Sequence, residues 1–247
     1  MRKIFRIQFD QEALQVLTKR DGWAAILYYL YNMIFLFMFG VIMFRTQLIS
    51  DFANLFTNPF FARITLDLLT MIIQFLPIFI YLLIRKQSLR TVGLKFNGTA
   101  FGKSLIIGIL CSLPFILPQL VNFFLGHITF QHSIPELIYM FLYFLITIAF
   151  VEEIGFRGFI QTRIFSLIRN KYVGILFVGF LFAIMHIPFQ MFQAKMGLLD
   201  FVMYDYPHLL TTWVLHMFFV YLYTRNNDLV APVIAHTLIN FVPSVIY

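Results

Sequence analysis

Charge is what this sequence has least of. Asp, Glu, Lys and Arg make up 12% of its 247 residues, against about 25% in soluble domains. Hydrophobic residues reach 61%, with thirty-three Phe and twelve Tyr, and mean hydropathy is +0.85. That is too much apolar surface for one soluble core, so an ordinary soluble domain is excluded. A single cysteine, Cys111, excludes an intramolecular disulfide and a cysteine-built metal site. It lies in an apolar stretch near Pro114, where free cysteine packs more readily than it reacts. No linker, low-complexity tract or internal repeat divides the chain. Met1 to Gly22 hold five basic and three acidic residues and no apolar core, so no cleavable signal peptide is expected. Within that stretch Ile4, Phe5, Phe9, Leu14 and Leu17 fit either an interfacial segment or a solvated tail.

What is present is apolar sequence in long runs, separated by short charged ones. A bilayer surrounds a helix with apolar solvent, so a spanning helix can be hydrophobic all round and needs about 20 residues. Seven stretches qualify: 24–44, 64–84, 104–126, 136–156, 172–192, 207–224 and 229–246. The last two are short, and one could tilt or sit partly re-entrant. The fold class expected is all-α, a polytopic transmembrane helical bundle of about seven spans. A cytoplasmic or interfacial segment is expected over 1–23, N-terminal transmembrane helices over 24–134, and a core carrying the buried polar residues over 135–247.

Basic residues set the orientation. With the N-terminus inside, inner segments hold Arg2, Lys3, Arg6, Lys19 and Arg20, then Arg85, Lys86, Arg90, Lys95 and Lys103. They also hold Arg157, Arg163, Arg169, Lys171 and Arg225, whereas outer segments hold only Arg45, Arg63 and Lys195. The bias predicts a cytoplasmic N-terminus and, with an odd number of spans, an external C-terminus. It also accounts for the formal charge of +7 without nucleic acid.

Ionised groups at membrane depth cost about 2.5–3.5 kcal/mol each even on lenient scales, so they usually have a use. The fourth stretch ends in Glu152-Glu153-x-x-x-Arg157. Glu153 and Arg157 are i and i+4, a favoured ion-pair orientation. Adjacent carboxylates project about 100° apart and are expected in different environments, leaving Glu152 to face a cavity as a general base. A Glu–Glu pair closing a helix at the interface would look the same. His186, in Phe182-x-x-x-His186-x-Pro188, by itself fits a satisfied packing histidine, though Pro188 can open the helix beside it. His236 and Asn240 share one helix face and suit either an oxyanion or a structural pair between helices. His127 and His132 fall in an outer loop, His208 begins a span, and His216 reads as packing or polar bridging. Asp67 and Gln74 read as interhelical polar groups.

Taken together, Glu152-Glu153-x-x-x-Arg157, Phe182-x-x-x-His186 and His236-x-x-x-Asn240 on successive hydrophobic spans resemble the CPBP family. Its members are the CAAX prenyl proteases and bacteriocin-processing enzymes, also called Abi, a group of intramembrane glutamic proteases. The resemblance covers about Tyr139 to Phe241 and extends to Arg157-Gly158 and to Leu229–Pro232; the first hundred residues add no motif. It implies that Glu152 and His186 activate a water, that His236 and Asn240 stabilise the oxyanion, and that Glu153 and Arg157 hold the site in shape. It further implies no cofactor. Zinc on Glu152, His186 and His236 is an alternative set, disfavoured because the sequence lacks His-Glu-x-x-His. The partners implied are the lipid bilayer and a peptide or lipidated-protein substrate, either CAAX-type or a bacteriocin or signalling peptide. The location implied is a bacterial cell membrane.

Two other classes share these residues. A non-enzymatic membrane regulator would keep the cluster as polar glue, and a proton-coupled transporter would use Glu152, though no inverted repeat is visible. One tension concerns depth. His186 lies about 21 Å along its span and His236 about 10 Å along its own, so tilt, a kink at Pro188 or a re-entrant piece within 158–171 has to align them. The inner position of the Glu152–Arg157 turn predicts a site open to the cytoplasm.

Overall fold

The computed structural model describes residues 6–95, 98–129 and 132–246. Every element among them is helical. A short α1 (Gln11–Gln15) precedes α2 (Lys19–Arg45), and a short α3 (Leu48–Ala53) leads into α4 (Pro59–Ile84). There follow α5 (Gly98–Phe124), α6 (Ile134–Ile164), α7 (Lys171–Gln193), α8 (Leu198–Asn226) and α9 (Val230–Val245). Helices α2, α4, α5, α6 and α7 are each long and apolar enough to cross a membrane. The chain is an integral membrane protein, an all-α bundle in which α8 and the 16-residue α9 return alongside these five.

Local chemistry sets the helix starts. Thr18 and Asp21 form a capping box at α2, and Ser133 and Glu136 form one at α6. Asn58 caps α4 just before Pro59, and Asn170 accepts from the Tyr172 and Val173 N–H groups at α7. Helix α8 ends on Asn227 in the left-handed conformation.

Two boundaries differ most from the sequence expectation. Helix α6 continues to Ile164 instead of stopping at 156, since nothing in Arg157–Ile164 breaks a helix once tertiary partners take its polar side chains. Gly158 permits this, because a Cβ there would lie 2.5 Å from the Val92 carbonyl oxygen. The arginines read as a basic inner loop are thereby carried inward, and Arg157 and Arg163 are both fully buried. Helix α8 starts at Leu198, ahead of 207, with Pro207 inside it. Hydropathy falls at Asp200 and Asp205, but the helix does not.

The connections 85–95, 165–170 and 227–229 gather at one end with the N-terminal segment. There the Asp10 carboxylate accepts from Arg90 and Lys95 at 2.9 and 2.8 Å, and Asn227 Oδ1 accepts from the Asp10 N–H at 2.8 Å. Phe9 is buried against Phe165 and Tyr223. Phe9 and Leu14 pack into the protein core, which neither the interfacial nor the solvated reading of this stretch anticipated. Helix α5 also packs closely on α9: the Ser104 hydroxyl donates to Asp228 at 2.6 Å, and a Cβ on Gly108 would lie 2.7 Å from the Ala231 carbonyl.

Candidate active site

Helices α6, α7, α8 and α9 bring the polar residues together inside the bundle. In α6 the backbone widens into π-helical turns over Tyr143–Phe150 and Ile154–Ile160, leaving Val151–Glu153 as an α-helical turn between them. Such turns are rare and collect at functional sites. The two adjacent glutamates sit on this turn.

Glu153 is fully buried. Its Oε2 lies 3.1 Å from Arg157 Nε, which realises the expected i,i+4 pair, and its Oε1 lies 2.8 Å from His236 Nδ1. The Arg157 guanidinium is also held over two rings, 4.1 Å from the Phe182 centroid and 4.9 Å from that of Phe219. A cation stacked on aromatic faces recovers part of its desolvation cost. Phe219 stacks in turn on the His236 imidazole at 4.8 Å and 20°, which fixes the plane of that ring.

His236 links the two glutamates. An ionised Glu153 has no hydrogen to give, so Nδ1 donates and Nε2 is turned toward Glu152 Oε2, 3.8 Å away. The two carboxylates do differ in environment, Glu152 on the cavity wall and Glu153 fully buried, and the His236 imidazole lies between them. Glu152 Oε2 is buried and receives no hydrogen bond.

His186 stands where α7 is interrupted. The first part of that helix ends at Met185, and a new turn begins at Ile187 with Pro188 in its first positions. Of the devices expected to align the depths, the structure shows a break in α7 at His186, beside Pro188, while 158–164 is continuous helix and not a re-entrant piece. The His186 Nδ1 lies 2.8 Å from the Phe182 carbonyl oxygen. A carbonyl only accepts, so Nδ1 carries the hydrogen and Nε2 of the neutral ring is left as a base.

Glu152, His186, His236 and Asn240 all line one cavity of about 720 Å³. Glu153 and Arg157 stand behind that wall. Asp67 and Gln74 line the cavity as well. Asp67 accepts from the Tyr139 hydroxyl at 2.5 Å and so joins α4 to α6, the bridging role expected of it. His216 is buried with Nε2 3.0 Å from Gln161 Oε1, a polar bridge. Phe219 and Gln161 were not legible as site neighbours, since one more Phe or Gln in an apolar run carries no signal. Among the described residues no three His, Cys, Asp or Glu side chains are arranged to hold a metal ion.

The direction of the cavity corrects one expectation. Its exposed lining residues, Pro59, Arg63, Gln193 and His208, all lie at the end of the bundle away from the N-terminus. Met43, Ile49 and Phe52 line the same end. A cytoplasmic N-terminus and a cytoplasmic opening therefore exclude each other. The inner half of α6, which suggested that opening, is closed off by its own buried arginines.

Residues 134–242 match the family model described as type II CAAX prenyl endopeptidase Rce1-like. That segment is similar to this family and spans less than half of the chain. The match contains all six site residues and both π-helical turns, and it encloses the Tyr139–Phe241 stretch that carries the CPBP resemblance. No curated protein and no solved structure matches the chain. The chain thus carries a segment similar to membrane proteases of CAAX type. Its α2–α5 portion, which supplies Asp67, Gln74 and Arg63 to the cavity, lies outside the matched residues.

Proposed function

We propose that the protein is a metal-independent glutamic endopeptidase that hydrolyses a peptide bond within the membrane, with Glu152 as general base. The observation that carries this reading is Glu152 itself. It is a carboxylate with one buried oxygen lacking any hydrogen bond, on the wall of a cavity shared with His186, His236 and Asn240. An unpaired carboxylate oxygen facing a cavity beside two imidazoles and an amide is the arrangement a general base needs.

The residues divide the work as follows. Glu152 removes a proton from a water whose oxygen bonds to the scissile carbonyl carbon, and His186 Nε2 accepts the water's second hydrogen bond and orients it. The Asn240 amide and Nε2 of doubly protonated His236 donate to the oxyanion, with Glu153 as counter-ion at Nδ1. The C–N bond then breaks as Glu152 returns its proton to the leaving amine, so no acyl-enzyme forms. Glu153 and Arg157 hold His236 in place. Metal independence is the reading that the missing His-Glu-x-x-His motif favours.

The substrate class follows the family: a CAAX-type C-terminal peptide, or a bacteriocin or signalling peptide of a bacterial membrane. The bias of basic residues toward the N-terminal end supports a cytoplasmic N-terminus. Substrate then reaches the cavity from the external side. The test is cleavage of candidate peptides by purified protein. Glu152→Gln should lower the rate at least about 10²-fold with folding intact, and dialysis against a strong chelator should leave the wild-type rate unchanged. Activity kept in Glu152→Gln but lost in Glu153→Gln would exchange their roles. Loss on chelation restored by zinc alone would overturn the metal-free mechanism.

A further inference from the structure

A second cavity, of about 530 Å³, lies at the opposite end of the bundle from the site, between the N-terminal segment and the turn joining α6 to α7. Its polar lining comes from Arg6, Gln8, Gln11, Thr162, Ser166, Arg169 and Lys171, and no acidic residue lines it. Three cations from two distant parts of the chain converge there. Arg6 and Arg169 are exposed and form no ion pair among the described residues, and Met1–Phe5 contain no acid to supply one. The nearby acids are already engaged: Asp10 by Arg90 and Lys95, and Glu12 by Arg90. Lys171 uses one donor on the Ile7 carbonyl at 3.1 Å, and an ammonium has two more to offer. Phe9, Leu14, Leu17 and Phe165 form an apolar side of the same cavity. The cavity lies at the end of α6 and the start of α7, two helices long and apolar enough to span a membrane. The ends of spanning helices fall near lipid headgroups.

We infer that this cavity binds a phosphate-bearing anion, the headgroup of an anionic phospholipid in the leaflet on the N-terminal side. Arg6, Arg169 and Lys171 hold the phosphate, and the apolar side receives the upper part of the acyl chains. The occupied site ties the N-terminal segment to the α6–α7 turn. This inference is independent of the peptidase reading, and its test needs no substrate.

Binding of fluorescent phosphatidylglycerol to the purified full chain in neutral mixed micelles should be saturable, with phosphatidylcholine a poor competitor. Arg6→Gln combined with Arg169→Gln should weaken it about tenfold or more, and Arg6→Lys with Arg169→Lys should restore most of it. Lys86→Gln with Lys103→Gln, two exposed cations of the same face outside the cavity, should leave it within about twofold. Equal weakening by both Gln pairs would reduce the effect to general attraction and overturn the site. Competition by inorganic phosphate at concentrations similar to the lipid would show that the cavity takes free phosphate, which overturns the headgroup assignment.

Discussion

The two ends of this bundle are held together by different chemistry. At the N-terminal end the connections are tied by hydrogen bonds. Asp21 accepts from Tyr81 and Gln87 at 2.8 and 2.7 Å. Arg163 donates to Gln87, Thr91 and Thr162 while stacking 4.3 Å over Phe159. At the other end aromatic rings fill the contacts: Phe39 stacks on Phe189 at 5.6 Å, and Phe37 meets Phe192 edge-on at 5.2 Å. Gly40 lets α7 approach there, since a Cβ would come 2.7 Å from the Phe192 ring. A polar network is directional and closes the space it occupies, whereas ring contacts can leave a cavity open between them. The site lies between the two, with its structural ion pair toward the closed end and Glu152 toward the open one.

The most decisive challenge to this contrast is sidedness. In a Cys111→Ser background, a cysteine at Lys195 should label only from the external face with an impermeant thiol reagent, and one at Lys86 only from the cytoplasmic face. The reversed pattern would turn the cavity toward the cytoplasm. Next in size is the separation of stability from chemistry. Arg163→Leu should destabilise the protein by about 2–3 kcal/mol, because it strands buried acceptors on Gln87, Thr91 and Thr162. The turnover of the fraction that stays folded should change by less than about twofold. A loss of turnover comparable to that of Glu152→Gln would mean the two ends are not independent. At the open end, Tyr139→Phe removes the hydroxyl bound to Asp67 on the cavity wall. One hydrogen bond of about 1 kcal/mol corresponds to a change of about fivefold, expected in KM with kcat retained and read from steady-state kinetics.

The smallest effect concerns pH at the closed end. Burial opposes the charge of Asp10, but hydrogen bonds from Lys95 and the Ala13 N–H, with the charges around it, outweigh burial and hold its carboxyl below the ordinary value. Its stabilisation is therefore whole above the unfolded value of about 4 and is lost as pH falls through the lower folded value. Asp10→Asn should cost about 1 kcal/mol at neutral pH. It should also flatten the fall of the thermal midpoint on the acid side, and an unchanged acid slope would remove Asp10 from the network.

The legible and illegible parts of the site differ in kind. Glu152, Glu153, Arg157, His186, His236 and Asn240 stood out because ionisable and amide groups are costly in apolar sequence, and their i,i+4 spacings could be counted. Phe219, which orients His236, and Gln161, which holds His216, had no such contrast with their surroundings. Arg163 was misread. Beside Arg157, Arg169 and Lys171 it resembled part of a solvated basic loop, and only its contacts with Gln87 and Thr91, more than seventy residues away, show that it is buried.

By itself, the sequence determined that the chain is helical and membrane-embedded, roughly where its apolar spans lie, and which rare polar residues lie at depth. Those properties follow from local hydropathy, caps and spacing, which act within a few turns of chain. Tertiary structure alone decided that α6 runs on to Ile164, that His236 spans both glutamates, and that the cavity opens away from the N-terminus. Each of these depends on partners from distant helices, whose approach is governed by packing and by where buried charges find their counterparts.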